Sequence, residues 1–133
     1  MFKSLFKFKK AASLRDGMLK YVIRILQEKK HKDIRAIAPD FTMPKRVVRE
    51  SSGEGYIPEV TAVKNGQFRL FALETKETLE LNETEKRWEL FSSYAKQDHA
   101  LFYVVFPAGM EAKVKAKLKD LNIEARLWQA SSG

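Results

Sequence analysis

The sequence contains no cysteine, only two histidines and no long apolar run. Without cysteine the protein can form neither disulfides nor thiolate metal sites, and it has no cysteine nucleophile. Because His31 and His99 are the two histidines, a histidine-rich zinc centre is not expected. A metal ion would have to be bound by carboxylates, which favour a hard ion such as Mg²⁺ or Mn²⁺.

The apolar runs are too short for a membrane span, which needs roughly 18 residues. Residues 1–10 mix phenylalanine and leucine with four lysines and lack a small-residue cleavage site. We therefore expect no secretory signal, no stable membrane insertion and a cytoplasmic location. The alternative for this segment is that its apolar and basic residues tether the protein to a membrane surface.

Positive charge is concentrated in the first part of the chain. The 133 residues carry a net charge of +8, with 14 Lys and Arg against 5 Asp and Glu in residues 1–50 and 11 against 12 in residues 51–133. A basic region of this kind suits a polyanionic partner such as DNA, although a solvated basic surface would have the same composition. The length predicts a single domain over 13–133. Residues 1–12 are predicted to be a flexible or marginally helical basic arm.

Hydrophobic periodicity and turn residues predict an α/β protein. Helices are predicted over 14–30, 82–96 and 110–121, and strands over 33–38, 57–64, 67–76, 100–106 and 123–129, with a brief edge strand at 47–48. Ser13 with Asp16, and Asn82 with Glu85, are predicted to cap the first two helices. This order of elements predicts a mixed β-sheet flanked by helices.

The segment 39–55 contains two prolines and two glycines and is predicted to be largely loop. Such a long, basic, irregular segment in a compact domain is more often functional than idle. Substrate contacts are therefore expected from its exposed cations, Lys45, Arg46 and Arg49.

The dipeptide Asn65-Gly66 predicts a type I′ hairpin turn and with it the register of two strands. With these two residues in the turn, Glu59 faces Ala72. Because side chains alternate along a strand with a period of two, Glu59, Ala72, Glu74 and Lys76 are predicted to share one face. Glu74 is then diagonal to Glu59, at roughly 7–8 Å between Cα atoms.

Two carboxylates at this distance repel each other unless a cation neutralises them. A divalent ion held by Glu59 and Glu74 would neutralise both and act as a Lewis acid on a phosphodiester. Lys76 could orient or deprotonate a water molecule, or stabilise charge on the phosphate oxygens. The pattern therefore predicts a catalytic group of these three residues, whereas the alternative is a solvent-facing polar stripe with an ordinary cross-strand ion pair.

Pro58-Glu59 followed by Glu74-Thr75-Lys76 resembles the signature of the PD-(D/E)xK nuclease superfamily. This is the restriction-endonuclease-like fold that includes Holliday-junction resolvases. The likeness covers residues 14–129, and the predicted order of elements is similar to that family's α-β-β-β-α-β core. It implies Mg²⁺- or Mn²⁺-dependent cleavage of DNA, with Glu59 and Glu74 as metal ligands and Lys76 as the catalytic lysine.

The resemblance also implies further groups around the metal. The family often adds an acidic residue on the first helix, for which Glu28 and Asp16 are the candidates. It also adds a polar residue on the helix after the motif, where Lys86 would contact the substrate. Nucleases of this kind often act as homodimers, although no residue pattern in this chain identifies an interface.

Two positions differ from the family's pattern. Glutamate replaces the more usual aspartate after Pro58, which lengthens the reach to a metal by one methylene. Some relatives carry an acidic residue two positions before Glu74, where this chain has Ala72. On that alignment one metal ligand is missing, and the domain would bind DNA or a protein partner without cleaving DNA.

Overall fold

The computed structural model describes residues 2–130, with side chains described from residue 12 onward. Among these residues no helix has both the length and the apolar character needed to cross a membrane. The helices are α1 Phe2–Glu28, α2 Lys76–Leu79, α3 Asn82–Asp98 and α4 Glu111–Asp120. The strands are β1 Lys32–Ala36, β2 Val47–Val48, β3 Gly55–Tyr56, β4 Val60–Lys64, β5 Gln67–Leu73, β6 Leu101–Phe106 and β7 Arg126–Gln129.

Five strands form one mixed sheet in the order β1-β4-β5-β6-β7. The first three are antiparallel neighbours, and β5, β6 and β7 are parallel. Helix α1 buries its apolar side against one face of the sheet, with Met18, Val22 and Leu26 at its centre. Helices α3 and α4 cover the other face, and the β2–β3 ribbon packs beside α3. The α/β class and the mixed sheet flanked by helices are thereby confirmed.

The hairpin register is the most accurate of the sequence-based predictions. Thr61 pairs with Leu70 and Val63 with Phe68, as two turn residues require. Asn65 and Gly66 have φ angles of 53° and 75°. Positive φ at both central positions defines the type I′ turn, whose twist matches that of the flanking strands.

Strand β5 ends at Leu73, three residues earlier than predicted, because the next residues cap a helix. The Thr75 hydroxyl accepts from the Thr78 backbone N–H, and the Thr78 hydroxyl accepts from the Thr75 backbone N–H. This reciprocal capping box starts α2 at Lys76. The prediction that Lys76 continues the face shared by Glu59 and Glu74 is therefore wrong.

The predicted helix starts also differ from the structure. Helix α1 begins at Phe2, so residues 2–12, predicted to be an arm, belong to the same helix and Ser13 does not cap it. Helix α3 begins at Asn82 itself, with Leu81 in the N-cap position and no side-chain cap bond. In both cases the residue predicted to cap the helix lies within it, so its side chain has no helix start to cap.

The turn predicts a clear difference between two glycine substitutions. Gly66→Ala should lower the free energy of unfolding by about 1 kcal/mol, because Cβ disfavours a positive φ. A Cβ at Gly66 would meet no atom within 4 Å, so backbone strain alone is tested. Gly17→Ala is the control, since Gly17 lies in α1 with equally open space around it. Urea denaturation should show Gly17→Ala slightly stabilised, by about 0.5–1 kcal/mol. Equal effects of the two substitutions would contradict this account of the turn.

Candidate functional site

Two buried glutamates lie at the same edge of the sheet. Glu59 immediately precedes β4 and Glu74 immediately follows β5, so the antiparallel pairing brings them together. Their residues are 5% and 0% exposed. The parallel strands β5, β6 and β7 end at this edge, which is where ligands bind in many open α/β sheets. We refer to the two carboxylates and their partners as the Glu59–Glu74 site.

Glu74 accepts hydrogen bonds on both carboxylate oxygens. The Thr78 hydroxyl donates to Oε1 at 2.8 Å, and the Trp88 indole N–H donates to Oε2 at 2.9 Å. The Arg87 guanidinium donates to both, from Nη2 to Oε1 at 3.0 Å and from Nη1 to Oε2 at 3.1 Å. Such a bidentate pair fixes the geometry as well as the charge, so the buried carboxylate is fully satisfied.

The hydrogen-bond donors to Glu59 come from β5 and from α1, which lies on the opposite face of the sheet from α3. The Leu73 backbone N–H donates to its Oε2 at 3.3 Å, and Arg15 of α1 donates from Nη2 to its Oε1. Arg87 Nη1 is 3.8 Å from the same Oε1. Burial, and after it the negative charge of Glu74, raises the pKa of Glu59, against the opposing effects of Arg15 and Arg87.

Arg87 is thus positioned between the two carboxylates. Its Nη1 atom is within 4 Å of both Glu59 and Glu74, and its side chain is 13% exposed. Burial acts to lower the pKa of Arg87, but the charge and hydrogen bonds of Glu74 raise it above its ordinary value. Arg87 contributes one positive charge that both carboxylates share, and Arg15 contributes a second at Glu59. The two arginines together have the role that a divalent ion was expected to have.

Neither arginine was predicted as a site residue, although the helix periodicity contains a signal for both. Arg87 is three residues after Thr84 and four before Phe91, both of which are buried on the inner side of α3. Arg15 is three residues before Met18 on the inner side of α1. A charged residue on the apolar side of a helix needs a buried partner, and the two glutamates are those partners.

The structure does not bring Lys76 into this site. Lys76 is exposed at the start of α2, and among residues 12–130 its side chain makes no hydrogen bond or ion pair. Lys86 is likewise exposed and is the neighbour of Arg87, which occupies the position on α3 that faces the carboxylates. Of the two acidic candidates on α1, Glu28 pairs with Arg24 at 3.9 Å, whereas Asp16 lies near Glu59.

The other three predicted substrate-binding residues lie on the β2–β3 ribbon and the segment leading to it. Lys45, Arg46 and Arg49 are all exposed, and Arg46 Nη2 donates to the Gly53 carbonyl at 3.3 Å. A Cβ on Gly55 would come within 2.7 Å of the Val47 carbonyl and 2.9 Å of the Arg46 guanidinium carbon. Only glycine therefore allows the ribbon to close this tightly beside Arg46.

A cavity of about 280 Å³ opens next to Glu59. Arg15 and Asp16 contribute its polar wall, and Leu19, Ile37 and Leu73 contribute most of the apolar wall. The Arg15 side chain is 41% exposed, so it connects the buried Glu59 with solvent. The cavity gives a small ligand access to one side of the Glu59–Glu74 site.

The side chains as arranged do not fit a bound metal ion. A divalent ion held by both glutamates would lie against the Arg87 guanidinium, which already uses both oxygens of Glu74. In the described part of the chain no group of three or more His, Cys, Asp or Glu side chains is close enough to hold an ion. Ala72, where space for the metal was expected, is fully buried in the core on the α3 side.

No protein-family model, curated protein or solved structure matches this chain. Membership of the PD-(D/E)xK superfamily therefore stays a prediction from the sequence motif. The roles of Glu59, Glu74 and Lys76 in catalysis likewise stay predictions, to be judged on the chemistry of the site.

The central position of Arg87 predicts a large effect on stability. Arg87→Met leaves the buried Glu74 without any cation and leaves Glu59 with Arg15 alone, and this should cost about 3–5 kcal/mol in the free energy of unfolding. Lys86→Met is the control, because it removes the same charge from an exposed neighbour and should change stability by less than about 0.5 kcal/mol. Urea denaturation measures both.

Adding Glu74→Gln to Arg87→Met should recover part of the loss, since the uncompensated charge of Glu74 is then removed. Strictly additive losses in this double-mutant cycle would mean that Arg87 and Glu74 do not interact, contrary to their geometry.

The raised pKa of Glu59 predicts a dependence of stability on pH. Between the ordinary glutamate value of 4.5 and the raised value, the folded protein holds a proton that the unfolded chain has released. The contribution of Glu59 to stability therefore falls as the pH rises through this range and is constant above it. Glu59→Gln cannot ionise, so wild type should lose stability relative to this variant from about pH 4.5 upward.

Denaturation across a pH series measures this difference, with the exposed Glu50→Gln as control. The raised pKa would be contradicted if the free energy of unfolding of wild type, minus that of Glu59→Gln, stayed constant or rose with pH.

Proposed function

We propose that this protein is a DNA-binding module with a restriction-endonuclease-like fold, in which an internal ion-pair network takes the place of a metal centre. The observation that carries the proposal is the Arg87 guanidinium between Glu59 and Glu74. It supplies positive charge to both carboxylates from within the chain, and Arg15 supplies a second positive charge to Glu59. The motif is thereby accounted for as a structural element at the sheet edge.

Binding of DNA is supported by the distribution of charge. The net charge is +8, and among residues 12–130 the exposed cations of the β2–β3 ribbon are not within ion-pair distance of any carboxylate. Lys45, Arg46 and Arg49 are exposed there, and the ribbon leads through Ile57 and Pro58 directly to Glu59. Phosphate contacts of this kind give affinity that falls with salt concentration and depends little on sequence.

The absence of cleavage follows from the position of Lys76 and the occupation of Glu74. Hydrolysis needs a nucleophilic water, a group that activates it and a cation at the phosphate oxygens. The exposed Lys76 has no contact with either glutamate in the described part of the chain, and both oxygens of Glu74 already accept from Arg87. These groups cannot act together on one phosphate in this arrangement.

Metal-dependent DNA cleavage is the second candidate, and one observation favours it. Glu59 and Glu74 converge on a single point, as the nuclease motif requires, and a cavity reaches the Glu59 side of that point. Cleavage would need another conformation, in which Arg87 has moved away from the two carboxylates and Lys76 has moved next to them. With either function, we also propose that the protein is located in the cytoplasm and acts as a homodimer.

The DNA-binding proposal predicts a localised effect of charge removal. The triple variant Lys45→Ala, Arg46→Ala, Arg49→Ala should bind duplex DNA more weakly. It should also show a shallower dependence of log K on log salt concentration, by about one for each phosphate that is no longer neutralised. The control removes three exposed lysines of α4, with Lys113→Ala, Lys115→Ala and Lys119→Ala. Fluorescence anisotropy over a salt series measures the DNA affinity of both variants. The elution volume of each complex in size-exclusion chromatography gives the number of subunits.

Three results would overturn the proposal. No salt-dependent binding by wild type would remove DNA as the partner, and equal losses in the two triple variants would show that only net charge matters. Cleavage of linear, branched or single-stranded DNA with Mg²⁺ or Mn²⁺, abolished by Glu74→Ala and Lys76→Ala, would establish the nuclease instead. Binding that survives Glu74→Ala, without cleavage, is the result expected here.

A further inference from the structure

A second cavity lies on the α1 face of the sheet, away from the Glu59–Glu74 site. Its volume is about 240 Å³. It is next to Arg69 near the start of β5, whereas Glu74 follows the end of that strand, roughly 16 Å further along at about 3.3 Å per residue. We call it the His31–Arg69 pocket, and its polar lining side chains are Lys29, His31, Arg69 and Tyr103.

Arg69 enters this pocket without a carboxylate partner. Its Nη1 atom donates to the Tyr103 hydroxyl at 3.4 Å, but its buried Nε has no hydrogen-bond partner. Among residues 12–130 no acidic side chain lies within ion-pair distance of Arg69. A partly buried guanidinium that lacks a counter-ion is costly, because burial removes water without supplying another acceptor.

His31 is the second group with an unused nitrogen. Its Nδ1 is 3.2 Å from the Leu26 carbonyl oxygen, the acceptor at the end of α1, whereas its buried Nε2 has no partner. Burial lowers the pKa of His31; the Leu26 contact raises it, and the charges of Arg69, Lys64 and Lys29 lower it further. An anion in the pocket would reverse the effect of these charges and favour the imidazolium, whose Nε2–H could then donate to it.

The charge of the pocket has one sign. Lys29 and Arg69 line it, Lys64 is close enough to affect His31, and no Asp or Glu is among the lining residues. Several cationic or donor side chains that line one pocket without an acidic neighbour are complementary to an anion with several oxygens. A phosphate group meets this requirement, because it accepts from a guanidinium, an imidazolium and an ammonium at the same time.

The rest of the lining is apolar, with Phe71, Tyr103 and Trp128 beside the aliphatic Ile25, Leu26 and Leu127. Phe71 stacks on Tyr103 at 4.8 Å between ring centroids and meets Trp128 edge-on at 5.8 Å. Phe71 is buried, but Tyr103 and Trp128 are half-buried and present part of their surfaces to the pocket. A flat apolar group attached to the anion would cover these surfaces, as a nucleobase does on aromatic side chains.

We propose that the His31–Arg69 pocket binds the phosphate group of a small phosphate monoester, whose flat ring lies against Tyr103 and Trp128. A nucleoside monophosphate has this chemistry. The proposal does not depend on DNA binding by the β2–β3 ribbon, because it rests on different residues of a different face.

The test uses the full chain and three probes: inorganic phosphate, a deoxynucleoside 5′-monophosphate and the corresponding nucleoside. Calorimetry gives the affinities, and NMR of the imidazole nitrogens gives the pKa of His31, with exposed His99 as an internal reference. The monophosphate should bind most tightly and raise the pKa of His31. Arg69→Gln should weaken its binding by about tenfold or more, since it removes a charged hydrogen-bond donor. Arg126→Gln, which changes an exposed arginine outside the pocket, should leave the affinity unchanged.

The proposal is overturned if none of the probes binds, if the nucleoside binds as tightly as the monophosphate, or if inorganic phosphate alone accounts for the affinity. Should Arg69→Gln fail to fold, His31→Gln supplies the second variant. The shift in the pKa of His31 in the wild-type protein then remains a direct measure of an anion at Nε2. Loss of DNA binding in the ribbon variant with monophosphate binding intact would separate the two proposals.

Discussion

The structure depends on one buried interaction, the contact of the Arg87 guanidinium with two carboxylates. Glu59 precedes β4, Glu74 follows β5, Arg87 is on α3, and Arg15 joins from α1. Helices from both faces of the sheet are therefore tied to the same edge by opposite charges. Breaking the pair of Arg87 with Glu74 would leave the carboxylate of Glu74 buried without a cation, which is far more costly than never having buried the pair. This constraint explains why the charges at this edge are so completely surrounded by donors.

The local signals in the sequence predicted the hairpin and the approach of the two glutamates, but not the arginines that pair with them. Asn65-Gly66 sets a two-residue turn, so the register of β4 and β5 followed from counting, and Glu59 and Glu74 were correctly expected to approach each other. The end of β5 was missed because Thr75 and Thr78 cap each other, a reciprocal contact that competes with the strand over the same residues. Arg87 and Arg15 were missed because their role depends on which helix faces cover the sheet edge. That information is tertiary, although an arginine on an apolar helix stripe indicates it.

The polar groups at the two ends of β5 differ in whether they have hydrogen-bond partners. At the carboxyl edge of β5, each buried acceptor of Glu74 has a donor, and the site is electrostatically closed. Near the amino end of the same strand, Arg69 and His31 each retain a buried nitrogen without a partner. A closed network is typical of a group that stabilises a fold, whereas unmatched donors are typical of a surface that is completed by something else. Glu59 and Glu74, two of the three residues predicted to be catalytic, belong to the closed network.

The hydroxyl of Thr78 couples the local unfolding of α2 to that of the neighbouring elements. It accepts from the Thr75 N–H to start α2 and donates to the carboxylate of Glu74, so a local turn and a buried charge share one atom. The Trp88 indole N–H, on α3, donates a hydrogen bond to the same carboxylate. The turn cannot unwind by itself without exposing Glu74, and α3 cannot separate from the sheet without releasing it. The end of β5, α2 and the start of α3 should therefore open as one cooperative unit, with slow, concerted hydrogen exchange.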